Sequence, residues 1–243
     1  MTYIEMPERV AHILQILHEH GYEAYAVGGC VRDSVLGRTP SDCDVTTSAS
    51  PVQVKELFPR TIDTGIQHGT VTVMEGKDGF EVTTYRIDGA YEDCRHPREV
   101  IFTSNLTEDL KRRDFTINAM AYSHESGIVD EFGGLEDLKN GVIRCVGDPK
   151  DRFSEDALRM MRAVRFAAQL GFELNEDVKG AIREMADALD FVSAERIQVE
   201  LVKLLVSPNP HWFRLAYECG ITSVIMPEFD RIMVQRQHNP HHA

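Results

Sequence analysis

The chain lacks any apolar run near the roughly 20 residues that a membrane-spanning helix needs. Residues 1–8 carry acids instead of the basic and apolar stretch of a secretory leader. The cysteines number five, are scattered, and include no Cys-x-x-Cys pair, so neither a disulfide framework nor a zinc site is expected. These absences predict a cytoplasmic protein without a membrane partner.

An excess of positive charge is also missing. The net charge is −13, whereas a nucleic-acid binder is expected to carry a basic surface. A binding groove responds to local charge, however, and basic residues cluster at positions 111–113 and at Arg159, Arg162 and Arg165. The overall charge therefore argues against tight RNA binding by this chain alone, but leaves room for a local nucleic-acid contact. The 42% apolar and 27% charged composition is ordinary for a globular protein of one large or two modest domains.

Two phosphate-handling features lie side by side in residues 27–47. A short apolar strand ends at Gly28 and Gly29, just before a helix, and glycines at a helix N-terminus allow the backbone to approach an anion. Eight residues separate the following Arg32-Asp33 pair from Asp42 and Asp44, which are predicted to open a second strand with both carboxylates on one face. Paired carboxylates together with substrate phosphates suit Mg²⁺. The stretch predicts a magnesium–nucleotide site.

The remaining pattern predicts an α+β fold. Strands are expected over residues 61–64, 70–75 and 80–85, helices over 6–20, 31–36 and 51–58, and almost no strand beyond residue 149. Glu81 would share the face of its strand with Thr83, either as a third acid near the metal or as a solvent-facing glutamate.

A second basic and polar group follows at residues 111–118. A basic triplet is usually a solvated surface, yet Arg113 and Asp114 border an apolar stretch with Asn118 four residues further on. Arg113 is therefore a candidate to clamp a triphosphate or ribose oxygen, with Asp114 and Asn118 orienting its neighbours.

A helix is predicted over residues 153–170, with Asp156 and Arg159 three residues apart and so neighbours on its surface. A carboxylate accepts from the amino group of cytosine or adenine, and a guanidinium donates to ring nitrogen and carbonyl acceptors. Uracil and guanine present the opposite polarity at these positions. The pair can therefore accept C and A and reject U and G without a template, although solvated or salt-bridged arginines are the simpler interpretation of the row.

Five segments in this order resemble the motifs of class II tRNA CCA-adding nucleotidyltransferases and bacterial poly(A) polymerases, within the DNA polymerase beta superfamily. They are residues 28–44, 105–121, 133–134, 155–159 and 193–197. The resemblance implies a catalytic head over residues 1–146, a helical neck over 147–206 and the start of a helical body over 207–243.

The resemblance also implies roles. Asp42 and Asp44 would hold two Mg²⁺ ions, with Glu81 as an accessory carboxylate. Gly28, Gly29 and Arg32 would bind the triphosphate. Arg162 and Arg165 would be further nucleotide contacts beside Asp156 and Arg159. Glu195 and Arg196 would brace helices.

The resemblance extends to two segments that flank these motifs. The loop at residues 88–102, which contains Cys94, is associated with the switch to adding A. The histidine-containing end from His238 resembles the run before an HD domain, which predicts an N-terminal fragment of a longer protein.

The implied activity is template-independent addition of C and A to the 3′ end of tRNA from CTP and ATP. A poly(A) polymerase and a CC-adding enzyme share these motifs and stay as alternatives. A nucleotide- or RNA-binding module that is inactive as a fragment is the alternative from another class. The sequence does not fix the oligomeric state.

Overall fold

The computed structural model describes residues 3–40, 42–89 and 100–235. The chain divides after Gly147 into an α+β unit and a helical unit that begins at Asp148. The predicted α+β fold with a mixed sheet is confirmed. The division into three domains stays a prediction. Cys94 and the histidine-containing end lie outside the described residues, as does most of the loop at residues 88–102. No helix in the described ranges is long and apolar enough to cross a membrane.

Short helices and strands alternate in the first unit. Its helices are α1 (Glu8–Glu19), α2 (Gly29–Val35), α3 (Pro51–Leu57), α4 (Leu106–Lys111) and α5 (Gly134–Asn140). Its strands are β1 (Ala24–Val27), β2 (Asp44–Thr47), β3 (Thr61–Gly65), β4 (Thr70–Glu75), β5 (Asp78–Thr84), β6 (Arg86–Asp88), β7 (Val100–Phe102), β8 (Ala121–Ser123), β9 (Gly127–Val129) and β10 (Val142–Ile143).

The main sheet has the strand order β3-β4-β5-β2-β1-β8-β9. β2 pairs with β5 in parallel and with β1 antiparallel, so β2 lies between the strand that contains Glu81 and the strand that leads into the glycine turn. Val27 of β1 lies opposite Asp44 of β2, and Val45 lies beside Val82 of β5. This register places the glycine turn after β1 next to the start of β2.

Local sequence explains elements such as α3. Ser50 accepts from the backbone of Gln53, the Gln53 side chain accepts from Ser50 N, and Pro51 occupies the first helical position. This is a capping box with a proline whose missing N–H costs nothing there. Because the signals are all local, the sequence predicts this helix well.

Two expectations for residues 27–47 were wrong. Cys30 and Cys43 form a disulfide with Cα atoms 4.8 Å apart, although no disulfide was expected. They are 13 residues apart in the chain, and the sheet register brings them together because Cys43 follows the turn opposite Gly28. β2 also begins at Asp44, so Asp42 precedes the strand instead of opening it.

The second unit is built mainly from helices. They are α6 (Pro149–Glu155), α7 (Leu158–Leu170), α8 (Glu176–Met185), α9 (Ala194–Leu205), α10 (Phe213–Glu218), α11 (Ile221–Ile225) and α12 (Pro227–Val234), with a short strand β11 (Glu173–Leu174). The helix predicted over residues 153–170 is interrupted at Asp156, which is extended with φ −147° and ψ 103°. Asp148 caps α6 and Pro149 follows at its first position, a start signal that places the helix boundary earlier than predicted.

Candidate active site

Three of the predicted acids gather where β2 and β5 begin their parallel pairing. One residue before the Val45 and Val82 pair, Asp44 and Glu81 occupy neighbouring positions on the two strands. Asp42 lies just before β2, and all three side chains are exposed. In the described residues, no three His, Cys, Asp or Glu side chains gather closely enough to hold a metal alone.

The acids influence one another electrically. The pKa of Asp44 is raised to about 6, first by desolvation and then by the Asp42 carboxylate. Arg113 lowers the pKa of Asp44, and Glu81 raises it. Asp44 is open to solvent, but the surrounding protein still displaces enough water to disfavour its charge. The direction of these effects indicates a concentration of negative charge beside the guanidinium cation of Arg113, whose side chain is 18% exposed.

That cation lies against the glycine turn. Gly28 has φ 71°, and a Cβ atom there would lie 3.3 Å from Arg113 Nη1. Only glycine adopts this backbone at low cost while leaving room for the guanidinium. Arg113 Nη2 is 3.6 Å from a carboxylate oxygen of the buried Asp109. The predicted first and second motifs therefore meet at Gly28.

Arg32, Asn118 and Asp114 form one hydrogen-bonded chain. Arg32 Nη1 donates to Asn118 Oδ1 at 2.8 Å, and Asn118 Nδ2 donates to Asp114 Oδ1 at 3.1 Å. Arg32 also pairs with Asp33, its Nε donating to Oδ1 at 2.8 Å. All three members of the chain are less than a tenth exposed. Asn118 and Asp114 therefore fix the Arg32 guanidinium, which lies 3.5 Å from the position of a Cβ on Gly29.

Helix α5 supports the turn that carries Asn118. A Cβ on Gly134 would lie 2.4 Å from the carbonyl oxygen of Thr116, so only glycine permits this close approach. The predicted role of residues 133–134 as a joint between domains stays a prediction.

In the helical unit, Asp156 lies between α6 and α7 with its carboxylate held on two sides. Oδ1 accepts from Leu158 N at 3.1 Å, and Oδ2 accepts from Arg196 Nη2 at 2.8 Å. The Arg159 backbone N donates to the Asp156 carbonyl at 3.0 Å. The Arg159 side chain donates to the carbonyl of Arg152 at 3.1 Å and pairs with Glu155. Hydrogen bonds within the helical unit therefore hold the side chains of Asp156 and Arg159, the two residues predicted to read the base, in defined positions.

The other two arginines of α7 differ in environment. Arg162 is partly exposed, and its guanidinium lies 5.4 Å from the ring centre of Phe166. Arg165 is buried and pairs with the buried Glu200 of α9. The burial of Arg165 favours a bracing role over direct nucleotide contact.

Asp109 is the main residue that sequence reasoning missed. It is fully buried and pairs with both Arg112 and Arg113, three and four residues further on. That spacing on a helix is itself a pairing signal. The basic triplet was interpreted without the acid that precedes it.

Two family models match the chain. The "Poly A polymerase head domain" matches residues 24–144, and the "Probable RNA and SrmB-binding site of polymerase A" matches residues 171–233. The first match covers β1 to β10 and every predicted site residue of the α+β unit.

Two similar curated proteins are both named CCA-adding enzyme. A CCA-adding enzyme of Lactobacillus helveticus is 56% identical over 197 residues, which cover 81% of this chain and 49% of that enzyme. One from Lactiplantibacillus plantarum is 47% identical over 91% of this chain and 53% of that enzyme. The chain thus spans about half the length of these relatives.

Solved structures are similar as well. The Bacillus stearothermophilus CCA-adding enzyme in complex with CTP is 46% identical with a TM-score of 0.83, covering 89% of this chain and 53% of that one. The Thermotoga maritima CCA-adding enzyme complexed with tRNA is 26% identical with a TM-score of 0.75, covering 96% and 53%. The chain therefore belongs to the nucleotidyltransferase family of CCA-adding enzymes and poly(A) polymerases, a membership that implies a divalent metal cofactor.

Proposed function

We propose that the chain is the nucleotidyltransferase part of an enzyme that adds C and A to the 3′ end of tRNA, using CTP and ATP and releasing pyrophosphate. The single observation that carries the proposal is the position of Asp44, which lies beside Glu81 of the neighbouring strand and is influenced electrostatically by Arg113, the residue packed at the Gly28 turn. The name shared by the similar enzymes supports the choice of reaction. A cytoplasmic location stays a prediction.

Asp42 and Asp44 would hold Mg²⁺, with Glu81 close by. The donor set fits, because Mg²⁺ prefers carboxylate oxygens and keeps sites for water and substrate phosphates. The raised pKa of Asp44, to which Asp42 and Glu81 contribute, is the behaviour of crowded carboxylates that a cation would stabilise. When bound, magnesium supplies activation of the RNA 3′ hydroxyl and stabilisation of the leaving pyrophosphate.

Gly28, Gly29, Arg32 and Arg113 would bind the triphosphate. Gly29 begins α2, although a helix of this length contributes only its first backbone N–H groups. The larger contribution comes from two guanidinium groups, which form strong charge-assisted hydrogen bonds to phosphate. Asn118 holds Arg32 in place, so little side-chain freedom is lost on binding.

Asp156 and Arg159 would select the base. The Asp156 carboxylate is 19% exposed and is anchored by Arg196, so it presents an acceptor in a fixed direction. A donor amino group of C or A would meet this acceptor, and the carbonyl of U or G would meet it with the wrong polarity. Arg162 would be a further contact, and Arg165 would keep α7 against α9.

The experiment incubates the chain with magnesium, labelled CTP or ATP, and tRNAs that lack the last one, two or three nucleotides. Ordered addition of C, C and A supports the proposal. Repeated A addition identifies a poly(A) polymerase, and a halt after C identifies a CC-adding enzyme. Binding without extension identifies an inactive module.

A variant pair tests the site itself. Asp44→Asn should lower extension about 1000-fold, since metal catalysis supplies several kcal/mol. The matched control is Asp63→Asn, because Asp63 is an exposed aspartate of β3 that pairs only with Lys55 among the described residues. Equal activity of both variants would contradict the assignment.

A further inference from the structure

Asp109, in α4, is a carboxylate with no exposed surface. A buried charge is costly unless it is paired and hydrogen-bonded. Its Oδ1 accepts from Arg112 Nε at 3.0 Å, from Arg112 Nη2 at 2.9 Å and from the backbone N of Arg86 at 3.3 Å. Its Oδ2 accepts from Thr46 Oγ1 at 3.1 Å and lies 3.6 Å from Arg113 Nη2. Its contacts therefore reach β2, β6 and the end of α4.

These contacts connect the metal side of the site to its phosphate side. Thr46 is two residues beyond Asp44 on β2, so the two side chains leave the same face of the sheet. Arg113 lies against Gly28. A single carboxylate thus joins the strand that carries the metal ligand to the guanidinium at the glycine turn.

The state of Arg113 shows why it needs such a partner. Burial lowers the pKa of Arg113, and Asp109 is the largest influence opposing that shift. Burial raises the pKa of Asp109, but Arg112 and Arg113 outweigh it and the net direction is down. The lowered pKa keeps Asp109 ionised at neutral pH, and an arginine guanidinium is not deprotonated in proteins, so the two groups carry opposite charges.

The contact leaves Arg113 able to bind something else. At 3.6 Å its approach to Asp109 is an ion pair and not a short hydrogen bond. The Arg113 Nε is buried and has no hydrogen-bond partner among the described residues. Asp109 therefore orients the guanidinium without using all of its donors.

We propose that Asp109 is a positioning residue that holds Arg113 over the glycine turn, in register with Asp44, so that it can receive the triphosphate. After Asp109, the carboxylate with the largest electrostatic effect on Arg113 is that of Asp44. If Arg113 paired with Asp44 instead, its guanidinium would leave the position where it can bind the triphosphate. The pairing would also neutralise the charge of a proposed metal ligand. The inference rests on the proposed function, because it concerns the same nucleotide site.

The test compares CTP and CMP binding to the full chain with magnesium, by calorimetry, for the wild type and Asp109→Asn. The variant should bind CTP about tenfold more weakly, since it loosens one charge-assisted contact. CMP affinity should change less than about twofold, because CMP lacks the β- and γ-phosphates of the triphosphate that Arg113 would hold.

Asp137→Asn is the matched control. Asp137 is also a buried aspartate of the same unit, accepts from Thr116 and pairs with Arg144 at 2.9 Å. This control should lower thermal stability without changing the ratio of CTP to CMP affinity. Should Asp109→Asn fail to fold, Thr46→Val removes the tether from Asp109 to β2, together with the hydrogen bond from Thr46 Oγ1 to the Thr83 carbonyl. This variant should weaken CTP binding by about threefold.

The outcomes separate the two proposals. A wild-type chain that binds neither CTP nor ATP would overturn the proposed function. A wild-type chain that binds CTP, with Asp109→Asn and Thr46→Val binding it equally well, would overturn the positioning role alone. A CTP-specific loss confined to Asp109→Asn and Thr46→Val supports it.

Discussion

Replacing Asp156 with asparagine tests base selection while keeping the shape of the side chain. In the structure the two carboxylate oxygens have different partners, Leu158 N and Arg196. An asparagine has one oxygen, so it can keep the backbone contact but then turns its amino group towards Arg196. The variant should lose about 1 kcal/mol of folding stability, the value of one hydrogen bond.

The larger effect falls on the incoming base. An amide nitrogen at position 156 can donate a hydrogen bond to the carbonyl of uracil. The wild-type carboxylate cannot, because both the carboxylate and that carbonyl are acceptors. A buried polar mismatch costs roughly 1–3 kcal/mol, and the 19% exposure of Asp156 places this site towards the lower end. The ratio of kcat/KM for CTP to that for UTP should therefore fall by about 5- to 30-fold in Asp156→Asn.

The assay measures single-nucleotide addition to a tRNA that lacks its last nucleotides, with each nucleotide offered alone. Asp148→Asn is the matched control, because Asp148 caps α6 by accepting from Lys150 N at 2.8 Å, two residues on, as Asp156 does for Leu158. The control should keep the wild-type ratio. An unchanged CTP to UTP ratio in folded Asp156→Asn would refute base selection by this carboxylate.

Three further results are expected. Because the pKa of Asp44 is raised to about 6, its ionised form is lost as pH falls through 6. Magnesium affinity, measured by half-saturating concentration for nucleotide addition, should weaken about tenfold per pH unit below that value. A flat profile between about pH 5 and 7 would contradict this. Cys43→Ser should lower the free energy of unfolding in urea by about 3 kcal/mol, the value for closing a loop of this length. Cys145→Ser is the control, because Cys145 is a buried cysteine outside this disulfide. Glu200→Gln should cost about 3 kcal/mol, since it leaves Arg165 buried without its counter-ion. The double variant Arg165→Met with Glu200→Met should unfold at a urea concentration near that of the wild type, because neither side chain then leaves a buried charge.

Features with local causes could be predicted from the sequence. α3 follows from its cap and proline, and the buried face of α7 follows from the helical spacing of Met160, Met161 and Val164, all of which are fully buried. The glycine turn and the acids near Asp44 could be named because spacing within one segment fixes them. Arg113 could be assigned a role in binding, but not its place at Gly28, since that depends on how β1 and α4 pack.

Features with distant partners could not be predicted in the same way. Arg165 belongs to the arginine row of the helix predicted over residues 153–170, yet it is buried because it pairs with Glu200, 35 residues further on. Asp156 has an extended backbone instead of a helical one. Its carboxylate accepts hydrogen bonds from Leu158 N and from Arg196, 40 residues away, and these two contacts stabilise that conformation. A helical periodicity contains no information about either partner.

The disulfide shows how the same residues can serve a site and a core. Asp42, Cys43 and Asp44 follow one another, and the Cys43 side chain is buried while both acids are exposed. Alternation along an extended backbone requires this arrangement once one face carries the acids. Opposite Cys43, the turn after Val27 leads directly into α2, which carries Cys30 on its buried side. The register that brings Asp44 beside the glycine turn therefore also brings the two sulfur atoms together beneath it. The cross-link and the metal site are two consequences of one strand pairing, so a variant that shifted this register would lose both.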